Sequence, residues 1–139
     1  MSTESRPAPP LPEPTPVSAP YWHALTQHRI LIQYSPSLGR HVFYPRTLAP
    51  GTLADDLEWR EISGAGELFT YTVAQRPTGP PWADALPQLL AVVQWDEGPR
   101  VSTELVDVEP GQIQVGMRVA PVFHDVPGTG VTLLRYRQA

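Results

Sequence analysis

Cysteine is absent from this chain of 139 residues, and so is lysine. Without cysteine the protein can form no disulfide, no thiolate zinc site, no iron–sulfur cluster and no cysteine nucleophile. The ten positively charged side chains are all arginine, and 14 acidic residues leave a net charge of -4. Nucleic acids and anionic membranes are bound through positively charged surfaces. This balance therefore disfavours both kinds of partner.

Long hydrophobic runs are missing as well. No segment is apolar for the roughly 18 residues that a membrane span requires. The first residues also lack the basic start and the apolar run of a signal peptide. We therefore expect a cytoplasmic protein with no membrane partner. The chain is long enough for one domain with a core of its own.

Proline is concentrated at the start of the chain. Seven of the 18 prolines fall within residues 1–20, among Ser, Thr, Ala and Glu. This composition is typical of an extended, disordered arm, to which we assign residues 1–17. The segment Pro9–Pro12, with the sequence PPLP, also has the form of a polyproline II ligand. Recognition of the arm by a partner is therefore a second interpretation.

A short helix is predicted over residues 18–28. Ser18 can cap its first turn, and Tyr21, Leu25 and His28 are spaced so that they form one stripe on its surface. A helix of this length must pack against the rest of the protein to be stable. Everything that follows shows strand or turn patterns.

Five main strands are predicted in the second half of the chain. The first runs through Gly64 and Gly66, where a bulge can bend it, and places Phe69, Tyr71 and Val73 on one face. A longer connection separates the third strand from the fourth, which fits a small barrel of the OB type. The other four strands are predicted at residues 88–95, 101–106, 118–125 and 131–137.

Several landmarks also occur in one order along the chain: Tyr21-Trp22, Arg29–Gln33, Phe43–Arg46, Leu57–Trp59, Gly64–Val73 and Gly116–Val119. In these landmarks the chain resembles a family of small bacterial and archaeal proteins that are found beside thiolase-like and other acyl-CoA enzymes. Members join an N-terminal helix, a rubredoxin-like zinc ribbon and an OB-fold. The resemblance implies a mainly β protein with a degenerate ribbon at residues 29–56 and a five-stranded OB-fold barrel at residues 57–139.

The family's ribbon carries two Cys-x-x-Cys motifs, and the corresponding positions here are Ser35, Leu38, Ala49 and Thr52. Structural zinc needs four Cys or His ligands, and His41 alone lies between the two motifs. We therefore predict a metal-free ribbon that binds no zinc. Burial of Leu38, Phe43, Leu48 and Leu53 is expected to stabilise the ribbon in place of the metal.

The sequence contains no familiar catalytic motif. It has no Gly-x-Ser-x-Gly elbow, no Gly-rich phosphate loop and no His-x-x-x-His pair. Asp55 and Asp56 form the nearest acidic pair, and their setting beside Gly51 indicates a solvated turn rather than a general acid and base. We assign the histidines surface or packing roles, with His124 at the rim of the barrel. We therefore predict no catalytic residue and no cofactor.

Five residues are candidates for contact with a partner or a ligand: Trp22, Tyr44, Arg46, Arg76 and Trp82. Trp82 lies in a loop that borders the binding face of an OB-fold. It can anchor a partner or stack on a flat ligand, or it can fold back on the prolines of its own loop. Each arginine can hold a phosphate or a carboxylate, or it can form a surface ion pair.

The resemblance implies a non-catalytic accessory subunit. Its partner is a thiolase-like or lipid-transfer-protein-like enzyme subunit that performs acyl transfer or retro-aldol cleavage of acyl-CoA thioesters, steroid side chains included. A CoA thioester at the partner interface is the small ligand that the resemblance implies. The alternative is a stand-alone OB-fold module for single-stranded nucleic acid, with Phe69, Tyr71 and Trp95 as stacking aromatics. The absence of lysine and the net negative charge argue against that alternative.

Overall fold

A computed structural model describes residues 8–139 and shows one α-helix and eight strands in this part of the chain. The elements are α1 (Ala19–Thr26), β1 (Ile30–Ser35), β2 (Arg40–Val42), β3 (Glu58–Ile62), β4 (Gly66–Ala74), β5 (Gln88–Trp95), β6 (Arg100–Glu104), β7 (Arg118–Val126) and β8 (Val131–Gln138). Short 3-10 turns lie at Pro80–Trp82 and Pro110–Gln112. The predicted mainly β class is confirmed. Within residues 8–139, no helix has the length and apolarity needed to span a membrane.

The segment before α1 has no regular secondary structure until a turn at residues 16–18. The backbone N–H of Thr15 donates a 2.9 Å hydrogen bond to the hydroxyl of Ser18. Ser18 is the N-cap residue of α1, as predicted, but its hydroxyl makes no capping bond to the helix. Residues 1–7 lie outside the described residues, and the disorder of the arm at residues 1–17 stays a prediction.

The helix ends two residues earlier than predicted because His28 adopts a left-handed backbone conformation, with φ of 57°. Tyr21 and Leu25 are buried, as members of one stripe should be. His28 lies outside the helix and is not part of that stripe. Its imidazole stacks on Phe123 with ring centroids 5.0 Å apart, and its Nε2 lies 3.0 Å from the carboxylate of Asp125.

The first sheet has the strand order β2-β1-β3, with both pairings antiparallel. β3 therefore belongs to this ribbon sheet, although the sequence predicted one strand that continues from it through Gly64 and Gly66. Gly64 interrupts that strand with φ of 73°. This left-handed backbone conformation favours glycine, and a Cβ atom at this position would also crowd Cδ1 of Ile30.

The second sheet has the strand order β6-β5-β4-β7-β8. A parallel bridge between Leu105 and Tyr136 joins the end of β6 to β8, and the hydroxyl of Thr103 donates a 2.8 Å hydrogen bond to the carbonyl of Leu134. The sheet therefore curls until its two edge strands meet at one end. This order and this parallel contact are those of the predicted OB-fold, with a partly open barrel.

A bulge in β4 decides which of its side chains enter the core. The register with β5 shifts between Leu68 and Thr70. Phe69 is consequently 44% exposed, while Tyr71 and Val73 pack against the core. The predicted common face of Phe69, Tyr71 and Val73 is therefore wrong, and the bulge lies at Phe69 rather than at the glycines.

One hydrophobic core joins the helix, the ribbon sheet and the barrel. Leu25 from α1, Ile32 from β1 and Trp95 from β5 all belong to it and are almost completely buried. Trp59 packs against the same cluster. Because the three parts share one core, packing of the barrel also fixes the position of the ribbon sheet.

Candidate docking surface and neighbouring clefts

The connection between β2 and β3, here called the ribbon loop (residues 43–57), carries three exposed large apolar side chains. Tyr44 is 57% exposed, Leu53 71% and Leu48 37%. The expectation that Leu48 and Leu53 stabilise the ribbon by burial is therefore wrong. Phe43 does pack on the core, with its ring centroid 5.0 Å from that of Trp95. Three exposed large apolar side chains in one loop make this loop a candidate interaction surface.

Gln33 of β1 fixes the backbone of the ribbon loop. Its side chain is buried, its Nε2 donates a 2.7 Å hydrogen bond to the carbonyl of Arg46, and its Oε1 accepts a 2.7 Å hydrogen bond from the Arg46 N–H. Arg46 itself is exposed and forms no ion pair with the described residues. These two hydrogen bonds anchor the backbone of the loop at Arg46. Tyr44 and Arg46 are both exposed to solvent.

A carboxylate organises the segment Ser35–Leu38, which the family resemblance implies to be the first of two degenerate metal motifs. Asp56 accepts a 2.9 Å hydrogen bond from the hydroxyl of Ser35, which is buried, and another of 2.9 Å from the N–H of Ser37. The Leu38 N–H donates to the Ser35 hydroxyl at 3.3 Å. Hydrogen bonds from Ser37 and Ser35 hold the pKa of Asp56 below its usual range. Asp56 is therefore more than the solvated turn residue expected from the sequence.

The second motif is closed by backbone hydrogen bonds. The Ala49 N–H donates to the carbonyl of Ala54 at 2.9 Å, and the Leu53 N–H donates to the carbonyl of Ala49 at 3.0 Å. Ala49 is completely buried, whereas Thr52 is exposed. Among the residues that the structure describes, no three His, Asp or Glu side chains are grouped so that they could hold a metal ion. The metal-free state of the ribbon stays a prediction.

A groove of about 380 Å³ separates the ribbon loop from the turn between β5 and β6. Arg40 and Arg46 line it, together with His41 and Glu97. Nδ1 of His41 and Oε1 of Glu97 are buried there without a hydrogen-bond partner in the described part of the chain. Buried polar atoms are seldom left unpaired in proteins. Both atoms have almost no exposed surface, whereas Arg40 and Arg46 are exposed and can contact polar groups of another molecule.

The remaining candidates lie apart from the ribbon loop. Trp22 is partly buried against Tyr21, with ring centroids 5.1 Å apart, and lines a cleft of about 300 Å³. Arg76 is exposed just beyond β4. Trp82 is partly buried and lines a larger cleft of about 710 Å³. Its ring folds back over its own loop, since a Cβ atom at Gly79 would lie 3.5 Å from it.

The aromatics proposed for nucleic-acid binding do not form a stacking surface. Trp95 is 1% exposed and donates its indole N–H within the core, so it cannot stack on a base. The guanidinium of Arg100 covers the ring of Phe69 at 3.7 Å. Tyr71, the third of these aromatics, is partly buried against the core.

Two archaeal proteins described as DUF35 domain-containing scaffold proteins are similar to this chain. The one from Pyrococcus furiosus is 34% identical over 106 residues, which are 76% of this chain and 77% of that protein. The one from Methanothermobacter thermautotrophicus is 35% identical over 92 residues, which are 65% and 68% of the two chains. The chain belongs to the DUF35 family.

Residues 59–124 of this DUF35 chain also match the model of the ChsH2 C-terminal OB-fold domain. A solved chain of the "Ltp2-ChsH2(DUF35) aldolase" superimposes on it with a TM-score of 0.80 and 27% sequence identity, over 92% of this chain and 98% of that one. This structural superposition extends beyond the barrel and covers most of the protein. The family resemblance inferred from the sequence landmarks is thereby confirmed.

Proposed function

We propose that this DUF35 chain is a non-catalytic accessory subunit that docks on a thiolase-like or lipid-transfer-protein-like enzyme and shapes its acyl-CoA site. The partner would perform acyl transfer or retro-aldol cleavage of acyl-CoA thioesters, including those with steroid side chains. Two relatives are described as scaffold proteins, and the similar solved chain comes from an aldolase whose name combines Ltp2 with a DUF35 chain. These names support the proposal.

The observation that carries the proposal is the exposure of Tyr44, Leu48 and Leu53 on a loop whose backbone is fixed. Burial of such side chains in an interface is favourable because it removes apolar area from water. Tyrosine and arginine are also enriched among residues that dominate binding energy. A loop already held in one conformation loses less entropy when it binds. The ribbon loop combines these properties.

The groove beside the ribbon loop supplies polar complementarity. Arg40 and Arg46 offer two guanidiniums, which suit carboxylates on a partner. Charges arranged in this way orient a complex and raise its specificity. A CoA thioester bound at the joint interface would lie against this mixed apolar and cationic surface.

The arrangement that most resembles a catalytic triad supports a structural role instead. Asp125 lies between His28 and Thr132, and the hydroxyl of Thr132 donates a 2.6 Å hydrogen bond to its carboxylate. Hydrogen bonds from Thr132 and His28 keep the pKa of Asp125 low. A nucleophilic hydroxyl would have to face the imidazole rather than the carboxylate. These hydrogen bonds connect the segment that follows α1 to strands β7 and β8 of the barrel.

The proposal is tested by co-expression of the tagged chain with the thiolase-like subunit of the same organism, followed by measurement of the affinity. Tyr44→Ala and Leu53→Ser should each weaken the complex by roughly tenfold or more, because tyrosine often dominates binding energy and burial of leucine removes apolar area from water. Phe69→Ala and Leu90→Ser are the matched controls, since both residues are exposed on the barrel sheet. Equal affinity in all four variants, or no complex with the native chain, would contradict the proposal.

A further inference from the structure

A large cleft on the barrel lies between the loop that holds Trp82 and the hairpin of β7 and β8. With the arm in place, a volume of about 710 Å³ stays open in it, which is within the range of sites that bind ligands. The wall is mainly apolar, and its largest side chains are Trp82, Phe123 and Leu133. Gln88, Glu104 and Arg135 add polar groups. Neither the ribbon loop nor the groove beside it contributes to this cleft.

The N-terminal arm lies along this cleft. Ala8, Pro9 and Leu11 are among the residues that line it. Pro12 and Pro14 line the neighbouring cleft of about 300 Å³, in which they face Trp22 and Val131. The arm therefore follows one side of the β7–β8 hairpin from the first cleft to the second. Leu11 and Pro12 are partly buried along this path.

The described part of the arm is not held by hydrogen bonds. Within the described part of the chain, residues 8–14 form no hydrogen bond, and four of these seven residues are proline. Proline fixes the backbone angle φ and lacks an N–H group. A proline-rich segment therefore needs few hydrogen bonds and loses little entropy when it lies in a groove lined by aromatic side chains. Trp82 and Phe123 supply such aromatic side chains.

We propose that this cleft is a binding site for proline-rich peptides and that the chain's own arm, residues 8–14, is its resident ligand. The PPLP motif at Pro9–Pro12 then binds within the molecule that carries it, instead of binding another protein. The arm forms part of the wall of the cleft, and a second proline-rich segment can lie along the same residues only after the arm has left. This inference does not depend on the proposed docking function, and it runs against the sequence-based expectation of a disordered arm.

The first test uses the complete chain, which has no cysteine of its own. Ala8→Cys provides a single site for a bimane label, whose fluorescence is quenched when a tryptophan touches it. Trp82→Phe should relieve the quenching if the arm occupies the cleft. Trp59→Phe, in the ribbon sheet, is the matched control and should leave it unchanged. Equal fluorescence with Trp82 and with Phe at this position would contradict the proposal.

In the second test, the arm is added as a separate peptide. A fluorescently labelled peptide of residues 7–17 is titrated into the full chain and into its Leu11→Asp variant, in which the arm should be released. A tethered arm acts at an effective concentration on the order of millimolar. For a peptide with a Kd on the order of 0.1 mM, the native chain should therefore bind about tenfold more weakly than the variant.

Two controls make the outcome specific to the cleft. A peptide that carries the same Leu11→Asp change should not bind, and Trp82→Ala in the Leu11→Asp chain should abolish binding of the normal peptide. Failure of the normal peptide to bind the released chain would contradict the proposal. Equal binding to the native and released chains would also contradict it, because the arm would then not occupy the cleft.

Discussion

The hydroxyl of Ser35 donates a 2.9 Å hydrogen bond to the carboxylate of Asp56, 21 residues further along the chain. The bond connects the end of β1 to the last part of the ribbon loop. The family resemblance implies that Ser35 stands at the position of the first cysteine of a zinc ribbon. Ser37 strengthens the connection through its N–H, 2.9 Å from the second oxygen of Asp56. Polar contacts thus stabilise the ribbon, which the sequence predicted to be stabilised by burial of apolar side chains.

Asp56→Asn should lower the Tm of the protein at neutral pH, because one of its two hydrogen-bond acceptors becomes a donor. Since the hydrogen bonds lower the pKa of Asp56 in the folded state, its contribution is present above the unfolded pKa of about 3.9 and is lost as pH falls through the folded pKa. Thermal unfolding followed from neutral to acid pH measures both effects. The difference between the two proteins should shrink in acid.

Asp55→Asn provides the matched control for this experiment, since Asp55 is the exposed neighbour and no hydrogen bond of its side chain is seen in the described structure. This variant should keep the Tm and the pH profile of the native chain. If both variants had the native profile, the Ser35–Asp56 contact would not stabilise the ribbon.

The purified protein should contain no stoichiometric zinc, and a chelator should leave its Tm unchanged. Zinc sites in small proteins contribute roughly 10–16 kcal/mol of apparent binding free energy, so removal of a metal would produce a large loss of stability. Elemental analysis combined with thermal unfolding in the presence of EDTA measures both quantities. One zinc ion per chain, or a marked fall in Tm with EDTA, would contradict the metal-free ribbon.

Tyr136→Phe should destabilise the core through two buried groups. The Tyr136 hydroxyl accepts a 2.6 Å hydrogen bond from the indole N–H of Trp95 and donates one of 2.6 Å to the carbonyl of Gly64. Each buried group left without a partner costs about 1–3 kcal/mol, so the free energy of unfolding should fall by roughly 2–6 kcal/mol. Urea unfolding measures this change. Tyr71→Phe is the control and should cost much less.

The barrel could be predicted from the sequence because its strands alternate apolar and polar residues between clear turn signals. The predicted second barrel strand coincides with β5 (Gln88–Trp95). The end of α1 was harder to predict, because His28 leaves the helix to contact Asp125, 97 residues away. Such a pairing has no local signal. The bulge at Phe69 likewise depends on how β4 aligns with β5.

The candidate docking surface was predicted only in part. Tyr44 and Arg46 were identified from their residue types, and both are exposed on the ribbon loop. The roles of Gln33 and Asp56 were missed, because a single glutamine in an apolar strand and an acidic pair in a turn carry no local signal of a distant hydrogen-bond partner. Glu97 was also missed, since its place beside the ribbon loop arises only when the barrel folds.

The accessory role is tested most directly by an assay of acyl-CoA turnover with purified subunits. The substrates are acyl-CoA and 3-hydroxyacyl-CoA thioesters, offered to this chain alone, to the thiolase-like subunit alone and to the complex of both. We expect no turnover by this chain alone, and the highest turnover by the complex. Turnover by this chain alone that disappears when one of its own residues is changed would contradict the accessory role.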